Sequence, residues 1–169
     1  PVTSGIGAVN VVSLSAVYTP LKRVTAVNTI VGAIPGALPP LMGWTDAGGS
    51  EAIIAPEGWS LVAILFFWQI PHFLAIAWIY RNDYEKAGFK MISIGASASK
   101  NTGRFAVISC LALLPAAISP YLMQLSGILY CIGAIALTSY FIGLSWKFSR
   151  EMTLDSARDR KSTRLNSSH

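Results

Sequence analysis

Uncharged apolar runs alternate with short charged segments along the chain. Pro1–Leu21, Val24–Thr45, Gly58–Tyr80 and Phe105–Trp146 contain no Asp, Glu, Lys or Arg. A helix that crosses a bilayer needs roughly 20 predominantly apolar residues, so each of the first three runs predicts one span. The fourth run has 42 residues and predicts two spans joined by a tight turn around Tyr121–Gly127. The expected fold is all-α, a multi-pass transmembrane helical bundle of about five spans.

The connections alternate in charge. Lys22 and Arg23 follow the first span, whereas Asp46 to Glu57 holds three acids and no Lys or Arg. The third connection carries Arg81, Lys86, Lys90, Lys100 and Arg104, the fourth is uncharged, and Lys147, Arg150 and Arg158 follow the last span. Basic connections stay on the cytoplasmic or matrix side. Every second connection is basic, so all three basic segments share that face. The most polar of them, Arg81–Arg104, is where an anionic, water-soluble substrate group would meet protein.

Composition agrees. Charged residues make up 12% of the chain and hydrophobic ones 53%, against about 25% charged in a soluble domain. The net charge of +5 does not point to nucleic acid, because the basic residues sit at helix ends. Cys110 and Cys131 fall inside predicted spans with no CxxC or His neighbour and read as small buried apolar residues. Pro1 is preceded by no Met, basic region or cleavage site, which suggests missing upstream sequence.

Two spans contain more than an anchor requires. The second has Asn28, a Gly32/Gly36 pair, Pro35 and Pro39-Pro40; the third has Gln69, Pro71 and His72 among Phe66, Phe67, Trp68, Phe73 and Trp78. Close glycines let helices approach, and internal prolines free carbonyls that neighbours must satisfy. Polar groups at this depth either serve a site or bridge helices by hydrogen bonds; for Gln69 and His72 both readings stand on these residues alone. Trp44, Trp68, Phe73 and Trp78 suit either a ligand pocket or the membrane interface.

Three segments carry a resemblance. They are Tyr18–Asn28, with Leu21-Lys-Arg; Gly32–Trp44, with Gly36-Ala-Leu-Pro-Pro-Leu-Met-Gly-Trp; and Trp68–Met91, with Trp68-Gln-Ile-Pro-His-Phe followed by Asp83-Tyr-Glu-Lys-Ala-Gly. In this order and spacing they closely resemble the protohaem IX farnesyltransferase (haem O synthase) family of intramembrane aromatic prenyltransferases. The resemblance covers roughly Tyr18 to Met91; the later spans match in hydropathy and placement. It implies a partial prenyltransferase domain at residues 1–160, with about five of the family's nine spans, the N-terminal helices and the last helix being absent. Lys161–His169 is polar and Ser-rich and is read as a tail foreign to the protein.

The implied activity is transfer of a farnesyl group from farnesyl diphosphate to a vinyl group of haem b, giving haem O, in the bacterial inner membrane rather than the mitochondrial one. The implied cofactor is Mg²⁺ with the diphosphate; haem A synthase or oxidase assembly factors are implied protein partners. Asp83 is the expected Mg²⁺ ligand, a hard oxygen at the inner end of the third span. Lys22, Arg23, Arg81, Lys86 and Lys90 are candidates for diphosphate or propionate oxygens, with Lys86 and Lys90 one turn apart if their segment stays helical. His72 would lie about 16 Å deeper than Asp83 on an unbroken helix, at a depth suited to the porphyrin, as axial ligand or hydrogen-bond donor. Asn28 is a second polar candidate. Arg104, Lys147 and Arg150 are read as topology-setting charge.

The family's Asp-rich motif of an earlier helix has no counterpart in residues 1–21, where Asn10 stands without an acid. Position 82 is Asn where the family commonly has an acid, and Asp83 and Glu85, at i, i+2, point to different helix faces. The chain by itself is therefore expected to be inactive. Rival readings are a prenyltransferase acting on a quinone precursor, a transporter-like core, for which an internal repeat is lacking, and a structural subunit.

Overall fold

The computed structural model describes residues 2–18, 28–88 and 98–166; Lys22, Arg23 and Lys90 lie outside the described residues. Among the described residues every regular element is helical: α1 (Val2–Val12), continued by π-helical turns over Ser13–Tyr18, α2 (Asn28–Ala37), α3 (Pro39–Gly48), a 3-10 turn (Ser50–Ile54), α4 (Pro56–Ile79), α5 (Arg81–Lys86), α6 (Ala98–Leu122) and α7 (Ile128–Asn166). Among the described residues three stretches are long and apolar enough to cross a membrane: Pro56–Ile79, Lys100–Leu122 and Ile128–Met152. They are the third run and the two halves of the fourth. The described parts of the first two runs are helical as well, but the second is divided.

The division falls at Leu38, between α2 and α3. Pro39 and Pro40 carry no N–H, so neither can extend the ladder from α2; the Leu38 amide instead reaches back to the Pro35 carbonyl at 3.4 Å. Prolines are handled similarly elsewhere. Pro120 frees the carbonyl of Ala116, four residues back, and the Ser119 hydroxyl donates to it at 2.7 Å. In lipid no water can do this, so a neighbouring hydroxyl must.

The turn between the last two spans falls inside the expected segment. The Leu125 amide donates to the Pro120 carbonyl and the Gln124 amide to the Tyr121 carbonyl, the paired bonds of a Schellman stop. Gln124 occupies the left-handed position, at φ 60°, where glycine is the usual residue. α7 then opens at Gly127, whose carbonyl accepts from Tyr130 and Cys131.

The elements pack in chain order. α2 and α3 pack against one side of α4 and α6 against another, α7 packs on α6, and α1 touches α2 and α3. Small residues permit close approach: Ala33 and Ala106 are fully buried, together with Ile70 and Leu74, and Phe66 packs against them. At the inner end Trp78, Ala98 and Met152 form a second cluster with Phe148 against it. The α6–α7 crossing is tightest at Gly103, where an added Cβ would lie 3.2 Å from the Ser149 backbone.

Candidate active site

The Trp68–Phe73 motif is laid out on α4 with its residues facing different neighbours. Gln69 is buried, and its Nε2 donates to the Ala33 carbonyl on α2. This is the contact for which Gly36 is needed: a Cβ there would sit 2.6 Å from Gln69 Oε1. Gln69 therefore bridges helices, joining the Gly36-Ala-Leu-Pro-Pro motif to the Trp-Gln-Ile-Pro-His-Phe motif. His72 does not take that role. Its side chain is exposed from the helix bundle and stacks on Trp68, with ring centroids 5.7 Å apart and planes 11° from parallel. The Phe73 ring lies tilted beside the imidazole, with centroids 6.1 Å apart.

His72 and Trp68 border a groove between α4 and α7, floored by α6. The groove has two lobes. An inner lobe of about 210 Å³ is lined by Pro71, His72, Ala75, Leu144 and Phe148, among others. A larger lobe of about 570 Å³ extends the other way, past Ile64, Leu113, Leu137 and Tyr130. Trp68 and Phe141 border both lobes, so the two lie end to end along the same helices. From Tyr130 to Phe148 the groove follows α7 for about 27 Å at the helical rise, most of the roughly 30 Å hydrocarbon thickness. His72 is the one ionisable side chain among those lining it besides the tyrosines.

The inner end carries charge. Phe148 ends the inner lobe and packs on the cluster that holds Trp78. Arg81 lies over the Trp78 ring, 4.4 Å from its centroid, and its Nη1 donates to the Trp78 carbonyl at 3.0 Å. Two contacts thus hold one guanidinium at the inner end of α4, and a guanidinium has five N–H donors. Asp83, Glu85 and Lys86 are exposed on α5, one short helix beyond.

Two conditional expectations are corrected. α4 stops at Ile79, and Tyr80, at φ −95° and ψ 18°, turns the chain into α5. The depth of His72 is therefore not counted along an unbroken helix from Asp83; it lies seven residues inside the end of α4, about 10 Å along the axis. The helix that was to carry Lys86 and one further turn is shorter than expected, and Lys90 itself lies outside the described residues. α5 ends at Lys86, and Gly88 takes φ 74° with its amide on the Glu85 carbonyl. That left-handed stop is why Gly closes the Asp-Tyr-x-x-Ala-Gly motif. Asn28 stands at the first position of α2, where the description extends to its backbone.

Among the described residues no three His, Cys, Asp or Glu side chains gather where they could hold a metal ion. Asp83 and Glu85 offer hard oxygens of the type Mg²⁺ takes, but they do not make a site by themselves. The residues not expected from the motifs are those of α7. Phe141, Leu144 and Phe148 recur at three- and four-residue spacing with Leu137, a helical stripe that no motif marked.

The described residues form a helical membrane bundle with an apolar groove along its spans. The family model for the UbiA prenyltransferase family matches residues 1–167, and the chain belongs to that family. It is 43% identical over 156 residues to the protoheme IX farnesyltransferase of Solibacter usitatus (92% of this chain, 52% of that protein). It is 39% identical over 148 residues to the enzyme of that name from Koribacter versatilis (87% and 47%). The mitochondrial protoheme IX farnesyltransferase of Arabidopsis thaliana is 37% identical over 155 residues (92% and 35%). The chain thus spans about half the length of the bacterial relatives. No solved structure matches it.

Proposed function

We propose that this protein transfers the farnesyl group of farnesyl diphosphate to a vinyl group of haem b, giving haem O, in the bacterial cytoplasmic membrane. The observation that carries the reading is the apolar groove along α4 and α7, with His72 in its wall and Arg81 on Trp78 at the inner end of α4. It fits a substrate with a doubly anionic head and an isoprenoid tail. The names of the relatives and the ordered motifs supply the chemical class of the acceptor.

The chemistry asks little of the protein in covalent terms. The C1–O bond of the allylic diphosphate breaks and its electron pair leaves with the diphosphate. The vinyl π pair of haem b forms the new C–C bond to C1. The cation left on the carbon next to the porphyrin takes a water, and a proton is released. Arg81, with Lys22, Arg23, Lys86 and Lys90 on the same face, would bind and stabilise the leaving diphosphate. Asp83 would contribute one oxygen to a Mg²⁺ held mainly by diphosphate and water, an ion that neutralises leaving-group charge. Trp68, Phe141 and the groove walls exclude stray water from the allylic cation. His72, stacked on Trp68 near the inner lobe, would orient the porphyrin through its iron or by a hydrogen bond. Asn28 would be a second polar contact for the substrates.

Expression of the full-length gene in a bacterial strain lacking haem O synthase, followed by extraction of the haems, tests the reading. Haem O is the expected product. Correct membrane insertion with haem b alone would refute the assignment, and prenylation of a quinone precursor in its place would move the chain to another branch of the family.

A further inference from the structure

We infer that the outer lobe of the groove holds the terminal isoprene units of the donor, and that Gly133 and Tyr130 set the chain length it accepts. The inference deepens the proposed farnesyl transfer and rests on it. Orientation follows from charge. The basic connections and Arg81 lie at the inner end, so the diphosphate is held there, and the prenyl chain can lead only outward along the apolar groove. It passes the His72 wall and then the Trp68–Phe141 pair. The reacting C1 therefore lies in the inner lobe, and the units farthest from the chemistry fall in the lobe of about 570 Å³.

Tyr130, in the first turn of α7, lines that lobe. Gly133 lies one turn further along the same face and lines the lobe as well. A Cβ built on Gly133 meets nothing within 4 Å, unlike one on Gly36 or Gly103. The glycine is therefore not required for helix packing among the described residues, and it leaves open the volume that a larger side chain would fill. A side chain placed there shortens the lobe; removal of the Tyr130 ring lengthens it. A difference of one methylene in an apolar pocket is worth 10- to 200-fold in selectivity, roughly, and an isoprene unit is larger than that.

The test uses the full-length protein in membranes, with haem b as acceptor and geranyl, farnesyl or geranylgeranyl diphosphate as donor. Gly133→Leu and Gly133→Phe are expected to shift the kcat/KM ratio of geranyl to farnesyl diphosphate upward by about tenfold or more. Tyr130→Ala is expected to raise the geranylgeranyl-to-farnesyl ratio in the same way, and the KM for haem should stay within about twofold in all three. Equal losses with every donor would overturn the proposal, showing the lobe to be covered by another helix. A changed haem KM with unchanged donor ratios would overturn it too, placing the macrocycle there. Wild-type protein inactive with farnesyl diphosphate would instead refute the underlying function.

Discussion

The imidazole of His72 stacks on the indole of Trp68, their planes 11° apart, and both rings border the α4–α7 groove. The stack fixes the imidazole plane without a hydrogen bond from either ring nitrogen being needed. The nitrogens are thereby left for a ligand, whereas Gln69, three residues earlier, spends its amide on another helix. His72→Ala is expected to lower haem O formation by the full-length protein by about tenfold or more, equivalent to roughly 1.4 kcal/mol. His72→Phe keeps the stack and should be equally impaired. Full activity in either variant, measured by haem extraction at equal membrane levels, would remove His72 from the site.

Arg81 is held at the inner end of α4 by the Trp78 ring and carbonyl. Arg81→Lys keeps the charge but not the planar fork that stacks and donates together. The expected result is a KM for farnesyl diphosphate raised several-fold in Arg81→Lys and more in Arg81→Ala, with the KM for haem unchanged. Equal effects on both substrates would assign Arg81 to the fold rather than to the diphosphate.

The Gln69–Ala33 bond predicts a stability effect separate from catalysis. Interhelical hydrogen bonds in membranes average about 0.6 kcal/mol and reach about 1.7, so Gln69→Leu should cost an amount in that range. Gly36→Val should cost more, because its side chain displaces Gln69 and breaks the same bond. Thermal unfolding in detergent measures both. A Gly36→Val protein as stable as wild type would contradict the close approach.

Glycines elsewhere divide by what surrounds them. Gly103 faces the Ser149 backbone across the α6–α7 crossing, while a Cβ on Gly143 meets nothing. Gly103→Ala is expected to destabilise by about 1–3 kcal/mol; Gly143→Ala should be neutral or stabilise by up to about 1 kcal/mol. The same unfolding measurement compares them, and a reversed order would show that α6 and α7 do not cross at Gly103.

Much of this was legible in the sequence because lipid imposes simple rules. Runs without charge mark spans, and alternating basic connections set their direction, so the bundle and its inner face follow from Lys22 to Arg150. The breaks were harder to see. Tyr80 ends α4 with neither Gly nor Pro to announce it, and Gln124 takes a left-handed position that usually belongs to glycine. The site was half visible. His72, Asp83 and Arg81 sit in motifs, but a motif does not say that Gln69 turns to α2 while His72 turns to the groove. The α7 wall was missed because Phe141, Leu144 and Phe148 resemble any apolar helix residues until α4 is placed opposite them.

Topology provides an independent check. With Cys110 and Cys131 replaced by Ala, single cysteines at Gly49 and Ala87 should label from opposite sides of the membrane with an impermeant maleimide. Gly49 lies among the acids of the outer connection and Ala87 among the bases of the inner one. Labelling from the same side would break the charge argument that orients the groove.

The central claim is that one groove brings a prenyl diphosphate and haem together. The direct measurement is incubation of the purified full-length protein, in lipid nanodiscs, with haem b and farnesyl diphosphate, followed by mass analysis of the haem and assay of released diphosphate. The predicted result is conversion of haem b to haem O with one diphosphate released per haem converted. Diphosphate release or prenylation of a phenolic acceptor, with haem b recovered unchanged, would contradict it.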